Sequence, residues 1–340
     1  MRTHALALGF HRVGMASTAP LDDDGARLRA WLDAGFHGDM HWLAETPEAR
    51  ADVTHPRVLP GARTVIVCAL SYHRGDEPSP LPDGSIARYA RGRDYHNFLR
   101  KRLRKLAAWI RRTHGAEAAP LVDTSPILER AWARRAGVGF VGKHGCVIAP
   151  GLGSYLLLGE VVTTLALTPD APMDERCGSC TRCLDACPTQ AFVAPWVLDA
   201  RRCVSYLTIE RAGAIPEDLR AGVGDRVLGC DACQEVCPFN RTAPPPASTT
   251  GDFAPDPRWR AHSLATLARL DDEGFAALTA GSPAARPGRA GLARNAVVAL
   301  GNVGRRVHLP VLHAAMTTDP DDAVRDAARW ALARITAREP

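Results

Sequence analysis

The sequence predicts an α+β protein built from three successive parts. Segments typical of strands and helices alternate over residues 1–170, which predicts an N-terminal α/β sheet domain. Residues 171–238 carry eight of the ten cysteines and little periodic structure, which indicates a separate cysteine-rich module. Residues 258–340 have apolar residues at helical spacing, and the Pro-, Ser- and Thr-rich stretch before them, 239–257, predicts a linker or a surface-hugging loop.

The elements of the N-terminal domain follow from hydrophobic periodicity. A buried strand is predicted at residues 64–71 (TVIVCALS), because the run is short and rich in β-branched residues. A long helix is predicted from Asp94, its N-cap, to Thr113. The other expected elements are helices at 21–34 and 127–136 and strands at 119–122, 146–149, 155–158 and 161–167.

The C-terminal part is predicted to be helical and repetitive. Leu292, Ala296 and Leu300 share one helix face, and the last helix follows about 30 residues later, a period typical of HEAT-type repeats. Fewer than three such repeats bury too little apolar surface to be stable alone. We therefore expect residues 258–340 to dock on the rest of the chain.

The composition is that of a soluble globular protein, with 46% hydrophobic and 23% charged residues among 340. His4, His11 and Arg12 interrupt the N-terminal apolar stretch, so neither a signal peptide nor a membrane span is expected. A reducing cytoplasm suits free thiolates, so a cytoplasmic location is expected. The net charge is +5, and cationic residues concentrate at 88–112, where a solvated helix face and a phosphate-facing surface are equally open alternatives.

Two cysteine runs carry the chemistry. The first has the Cys-x2-Cys-x2-Cys-x3-Cys-Pro spacing of ferredoxin-type loops that hold a [4Fe–4S] cluster, and the second repeats its last three positions. Cys203, the only cysteine between the runs, supplies the missing ligand. Because the fourth cysteine of each run crosses to the other cluster in two-cluster ferredoxins, the predicted ligand sets are Cys177, Cys180, Cys183 and Cys237, and Cys187, Cys203, Cys230 and Cys233.

Other roles for these cysteines are less consistent with the spacing. Cys-x2-Cys pairs also make tetrahedral zinc sites, but zinc does not need the x3-Cys-Pro closure. A disulfide framework does not fit a chain of this length without a secretory segment. Cys68 and Cys146 are expected to be small buried side chains. The runs therefore predict an electron-transfer protein.

The glycine-rich segment from Gly137 to His144 nearly matches a P-loop. His144 replaces the hydroxyl that would bind magnesium, and a predicted helix precedes the segment where a P-loop needs a strand. We interpret the segment as a turn that presents Lys143 and His144 to the anionic or polar edge of a cofactor. A purely structural turn is the alternative.

Several motifs, taken in order, resemble one family. They are Asp123-Thr-Ser-Pro-Ile-Leu-Glu129-Arg130, Ala136-Gly-Val-Gly-Phe-Val-Gly142-Lys143-His144, Gly159-Glu160-Val, the cysteine runs, and Gly291-Leu-Ala-Arg294-Asn295-Ala-Val-Val-Ala-Leu-Gly301-Asn302. Together they resemble epoxyqueuosine reductase, a cobalamin-dependent iron–sulfur family, over nearly the whole chain. The resemblance implies an oxidoreductase that converts epoxyqueuosine to queuosine at the wobble position of tRNA. It also implies that the N-terminal domain binds cobalamin.

The resemblance assigns site residues as well. Asp123 is the implied proton donor, and its position after an apolar strand is expected to raise its pKa by desolvation; a helix or turn cap is the alternative. The implied cobalamin-pocket residues are Tyr95, His96, Asp123, Lys143, His144 and Ser205. Five C-terminal arginines are expected to form either a tRNA surface or a solvated repeat face: Arg286, Arg289, Arg294, Arg305 and Arg306.

Two other functions remain open from the sequence. One is a corrinoid iron–sulfur reductase of a small molecule, similar to reductive dehalogenases, although the helical C-terminal part and the lack of an export leader argue against it. The other is a ferredoxin-type electron carrier without enzymatic activity, which would not need the N-terminal domain. The expected partners are a tRNA with a GUN anticodon and an electron-donor protein or reductant. We expect a monomer with no membrane partner.

Overall fold

The computed structural model describes residues 1–245 and 253–338. Its N-terminal part contains, in order, α1 Arg2–Ala7, β1 Arg12–Ser17, α2 Asp22–Asp33, α3 Pro47–Ala51, β2 Thr64–Ser71, β3 Ser85–Ile86, α4 Tyr95–His114, β4 Ala118–Leu121, α5 Glu129–Arg135, β5 Phe140–Val141, β6 Val147–Ile148 and β7 Leu156–Thr163. Four strands form the main sheet in the order β1-β2-β7-β4. Every pairing in it is antiparallel, so this part is α+β rather than α/β.

Helices cover both faces of the main sheet. Leu99, Leu103 and Leu106 of α4 pack on one face, and Trp132 of α5 packs on the other. All eight residues of β2 are therefore buried. This double cover explains why β2 is continuously apolar in sequence although it belongs to an antiparallel sheet.

Most predicted elements of this part are confirmed to within two residues, namely α2, α4, α5, β2, β4 and β6. The two strands predicted at 155–158 and 161–167 were wrong, because β7 continues through Gly159 and Glu160. A side chain at position 159 would place its Cβ 2.6 Å from Leu103 Cδ1, so glycine here permits close packing of α4 rather than a turn. Helix α1 and strand β1 were not predicted.

The cysteine-rich part consists of short elements: α6 Arg182–Asp185, β8 Phe192–Ala194, β9 Val197–Leu198, α7 Val204–Ile209, α8 Glu217–Val223, β10 Arg226–Leu228, α9 Ala232–Glu235 and α10 Pro238–Arg241. Strand β10 pairs in parallel with β3, which joins this part to the N-terminal one. Of the predicted linker 239–257, residues 246–252 lie outside the described residues. Its described ends pack on the protein, since α10 covers residues 238–241 and Phe253 is buried.

The C-terminal part is helical, as predicted, with α11 Leu264–Leu267, α12 Asp272–Thr279, α13 Gly288–Val303, α14 Leu309–Thr318 and α15 Asp322–Arg338. These helices share one hydrophobic core with α7, α8 and β10, so the expected docking is confirmed. Helix α13 is buried at every position from Leu292 to Gly301. In the part of the chain that the structure describes, no helix is both long and apolar enough to cross a membrane.

Two polar side chains of α13 anchor this docking. The Arg294 guanidinium is 2% exposed and donates to the carbonyls of Leu207 at 2.7 Å and Arg211 at 3.0 Å. Asn295 Nδ2 donates to the carbonyl of Thr208 at 2.7 Å. Both residues thus satisfy carbonyls at the C-terminal end of α7. The expectation that Arg294 belongs to an exposed basic surface was wrong, because a helical pattern does not show which face docks.

Replacing Arg294 by Met should lower the free energy of unfolding by about 3 kcal/mol, because several buried carbonyls lose their donor. The matched change Arg260→Met, at an exposed position of the same part, should alter it by less than about 0.5 kcal/mol. Chemical denaturation of both variants measures the difference, and equal midpoints would contradict the anchoring role.

Candidate active site and iron–sulfur module

Asp123 lies just beyond β4, next to the first turn of α4. The Tyr95 hydroxyl donates to Asp123 Oδ2, and His96 Nε2 lies 2.9 Å from Asp123 Oδ1. Asp94, the N-cap of α4, accepts from the His96 backbone N–H at 3.0 Å and contacts His96 Nδ1 at 2.7 Å. The structure therefore brings three predicted site residues, Tyr95, His96 and Asp123, into direct contact.

The contacts around Asp123 decide where its proton resides. Burial raises the pKa of Asp123, but hydrogen bonds from His96 and Tyr95 outweigh burial, so the net pKa lies below its usual value. The expected increase was therefore wrong, since it counted desolvation without the partners on α4. Asp123 and then Asp94 raise the pKa of His96 to about 9. At neutral pH, His96 thus holds the proton and Asp123 is a carboxylate.

A buried glutamate, Glu160, and a partly buried one, Glu129, lie near Asp123, and neither was predicted as a site residue. Glu160 in β7 is fully buried, and both its carboxyl oxygens lack a partner among the described residues. Glu129, the first residue of α5, has a buried Oε1 that likewise lacks one. Burial and then Asp123 raise the pKa of Glu129 to about 8; burial and then Glu129 raise that of Glu160 far above its usual value. The available sequence signal was a charged residue inside the apolar run LLLGEVV.

The glycine-rich turn sends Lys143 and His144 to different neighbours. Lys143 Nζ donates to the carbonyls of Gly178 at 2.6 Å and Cys180 at 3.0 Å, so it holds the loop of the first cysteine run. His144 is buried, and its Nδ1 accepts from the Cys146 N–H at 3.1 Å. Because burial lowers the pKa of His144 to about 4, its ring is neutral and carries its proton on Nε2. That buried Nε2 has no partner among the described residues and fits an acceptor on a bound group.

The turn also connects the Asp123 site to the cysteines. Arg130, which follows Glu129, donates to the Gly145 carbonyl at 2.8 Å. Burial raises the pKa of Cys146 to about 11; Arg130 lowers it and Cys203 raises it, so Cys146 is within electrostatic range of both. Ser205, beside Cys203, lies with its Oγ 3.5 Å from the Cys230 carbonyl. The predicted pocket residue Ser205 therefore lies next to the cysteines, whereas Asp123 lies at the opposite end of the turn's contacts.

The seven cysteines of the two runs and Cys203 lie in two groups of neighbouring thiols, and all eight are free. In one group, burial and then the Cys237 thiol raise the pKa of Cys183. In the other, burial raises the pKa of Cys203 with a contribution from Cys187, and burial raises that of Cys230 to about 11 with a contribution from Cys203. This grouping supports the crossed ligand sets, which remain a prediction. Cluster binding must displace these thiol protons.

The fold and the cysteine arrangement define an iron–sulfur protein with two clusters in one module. In agreement, a family model described as "4Fe-4S double cluster binding domain" matches residues 176–240. A second family model, "Epoxyqueuosine reductase QueG, DUF1730", matches residues 50–124.

The chain is similar to epoxyqueuosine reductases over almost its full length. That of Xanthomonas campestris pv. campestris is 42% identical over 351 residues, covering 98% of this chain and 95% of the relative. A crystal structure of an epoxyqueuosine reductase with an epoxyqueuosine-modified tRNA-Tyr stem loop matches with a TM-score of 0.89, 32% identity and coverage of 98% and 88%. A Bacillus subtilis epoxyqueuosine reductase, solved with its aspartate catalytic loop swung out of the active site, matches with the same TM-score and coverage at 31% identity. The chain belongs to the epoxyqueuosine reductase family.

Metal analysis of anaerobically purified protein should return about eight iron atoms per chain and no zinc. Cys203→Ala and Cys237→Ala should each reduce the iron content to about four atoms or fewer, because each removes a ligand from one cluster. Cys68→Ala, in the buried strand β2, is the matched control and should keep about eight. Unchanged iron in both ligand variants would contradict the assignment.

Proposed function

We propose that this protein reduces the epoxide of epoxyqueuosine to the alkene of queuosine at the wobble position of tRNA. The observation that carries the proposal is the Asp123 carboxylate, held by Tyr95 and His96 beside the double-cluster module. Tyr89 lies between the two regions. Burial raises its pKa, and the charges of Asp231 and Asp123 raise it further. Asp231 is the neighbour of Cys230 in the second cysteine run. Family membership supports the same reaction.

The reaction consumes two electrons and two protons and releases water. Two [4Fe–4S] clusters on the crossed cysteine sets are proposed to pass the electrons singly from an external one-electron donor. Cobalamin, when bound, would supply a low-valent cobalt that is a strong nucleophile and reductant. The residues proposed to hold it are Tyr95, His96, Asp123, His144 and Ser205. The unpartnered donor at His144 Nε2 suits the amide groups at a corrin edge, whereas Lys143 is proposed to support the first cluster loop.

Asp123 and His96 are proposed to protonate the departing oxygen together. As the carbon–oxygen bond breaks, the Asp123 carboxylate takes a proton from His96 Nε2 across their 2.9 Å contact and passes it to the oxygen. The Tyr95 hydroxyl holds the second carboxylate oxygen in place. This order of proton transfers explains how a carboxylate with a lowered pKa acts as an acid, because the His96 imidazolium supplies the proton that Asp123 passes on.

The same proposal gives each part of the chain a task. Residues 1–170 are the proposed cobalamin-binding domain, 171–238 the two-cluster module, and 258–340 a HEAT-like domain that completes the tRNA site. Arg286 supports the last assignment, since it pairs with Glu210 at 2.9 Å and its pKa is raised by that pair and, less, by Asp123. We propose that the enzyme is a cytoplasmic monomer.

A basic groove on α4 is the proposed tRNA contact. It has a volume of about 490 Å³ and is lined by Asn97, Arg100, Lys101, Arg104, Lys105 and Ala108. Arg100 Nη2 donates to Thr124 Oγ1 at 3.2 Å, so the groove begins beside Asp123. The spacing of three and four residues places its cations on one helix face. Anticodon phosphates in this groove would leave the wobble base next to Asp123.

Other arginines expected at this surface are engaged inside the protein. Arg91 is buried and donates to the carbonyl of Ile86 at 2.9 Å. Arg289 pairs with Asp319 at 2.9 Å. The cationic stretch at 88–112 therefore divides into residues that hold the fold and a groove on α4 that faces outward.

Protein reconstituted with clusters and cobalamin should convert epoxyqueuosine in tRNA to queuosine in the presence of a low-potential reductant. Asp123→Asn should slow single-turnover product formation by about 100-fold or more with normal cofactor loading, because the proton path ends at this carboxyl. Asp33→Asn, at an exposed position on α2, is the control and should retain the rate. Absence of product from fully loaded protein would exclude the proposal, and reduction of a small halide instead would favour the dehalogenase-like alternative.

Replacing Lys101, Arg104 and Lys105 together by Gln should weaken binding of a tRNA anticodon stem loop and make binding less sensitive to salt. Each lost phosphate contact should lower the slope of log affinity against log salt by about 0.7–0.9. Fluorescence anisotropy across a salt series measures this slope. The double variant Arg329→Gln/Arg334→Gln, on exposed positions of α15, should leave the slope unchanged, and an unchanged slope in the triple variant would contradict the groove.

A further inference from the structure

Removal of the epoxide oxygen as water needs two protons, but the Asp123 and His96 pair holds one. The first proton converts the opened epoxide to an alcohol, and the second allows the oxygen to leave as water. Asp123 must therefore be protonated again within one turnover. Glu129 and Glu160 are the other described residues whose carboxyl groups have buried oxygens without partners.

The sheet places Glu160 close to Asp123. Glu160 in β7 lies opposite Leu121 in β4, two residues before Asp123. It shares the sheet face of Val162, which packs against α5, and α5 begins with Glu129. Glu160 is 0% exposed, and neither its two oxygens nor the buried Glu129 Oε1 has a partner in the described ranges, so no described residue neutralises these atoms by a direct ion pair.

Carboxyl groups outnumber cations around the two glutamates. Glu160 is faced by Glu129 and Asp123 and lies near the Cys68 thiol. Glu129 is faced by Asp123 on one side and by the cations Arg130 and His96 on the other, with the Tyr95 hydroxyl also in range. Three carboxyl groups thus face two cations. Full ionisation would leave an unpaired buried charge, which is costly, so the glutamate pair retains at least one proton.

We infer that Glu129 and Glu160 together store a proton and that Glu129 passes it to Asp123 once Asp123 has protonated the departing oxygen. The inference rests on the proposed function. The Glu129 O–H bond breaks and an Asp123 O–H bond forms, across a side-chain rotation or one bridging water. Asp123 then gives this second proton to the leaving oxygen. The electrons come from the clusters and their external one-electron donor, and solvent refills the pair.

The pKa values of the two glutamates fit this division of labour. Burial raises the pKa of Glu129 to about 8, close to the range in which a relay both holds and releases a proton at physiological pH. Glu160, whose pKa is shifted further in the same direction, keeps its own proton while Glu129 releases the one that is transferred, so the two glutamates are never ionised together. Both residues act through Asp123 and need not touch the substrate.

Infrared spectroscopy of the cofactor-loaded enzyme tests the stored proton directly. Wild-type protein should show a protonated-carboxyl carbonyl band that shifts in D₂O and titrates near pH 8. Glu129→Gln and Glu160→Gln should each remove part of that band. Glu117→Gln, at an exposed position in the same part of the chain, should not. A wild-type spectrum without such a band would overturn the inference, whatever the enzyme's activity.

Single-turnover kinetics test the transfer. Glu129→Gln should slow queuosine formation about tenfold to 100-fold and abolish the rate change near pH 8, without altering tRNA affinity or iron content. Glu129→Asp keeps an ionisable carboxyl and should recover part of the rate, which a merely structural role would not predict. A Glu129→Gln enzyme with the wild-type rate and pH profile would refute the relay. Failure of the wild type to form queuosine would instead refute the proposed function, while the infrared band still decides whether the pair stores a proton.

Discussion

The architecture depends on one constraint: a cation buried between parts of the chain must find oxygen acceptors there. Lys143 of the sheet domain satisfies it on carbonyls of the first cysteine run, and Arg294 of the helical part satisfies it on carbonyls at the end of α7. Each contact joins segments that are distant in sequence. The cysteine module is thereby held from both sides, although it has few long elements of its own.

Several of the buried polar atoms that lack a partner in the described part of the chain lie near the candidate active site. Glu129 Oε1, both carboxyl oxygens of Glu160 and His144 Nε2 are buried without partners among the described residues, whereas Arg294 and Asn295 of α13 are hydrogen-bonded. Native proteins seldom leave such groups unsatisfied except where function needs them. A bound cofactor suits the neutral donor at His144, and a stored proton suits the two carboxyl groups. Family membership and the geometry therefore lead to the same region of the molecule.

The local sequence shows one part of the environment of Asp123, and tertiary contacts decide the rest. Its place after an apolar strand is visible in the sequence and correctly indicates partial burial. Burial by itself raises the pKa of Asp123, but the net pKa is lowered, because His96 and Tyr95 in the first turn of α4 donate hydrogen bonds to the carboxylate. Those residues precede Asp123 by more than twenty positions, and no periodicity shows that the helix start meets the strand end.

The sequence by itself determined the cysteine spacing, the main helices and strands, and the order of motifs that marks the family, because these depend on neighbours along the chain. Only the tertiary structure decided that Gly159 and Glu160 lie inside a strand, that Arg294 is an anchor, and that Lys143 holds a cluster loop. Burial and electrostatics act through space, so a charged residue looks the same in sequence whether it faces water, a carbonyl or another carboxyl group. The pairing of Glu129 with Glu160 is the clearest case, since a helix start and the middle of a strand meet only when α5 packs on the sheet.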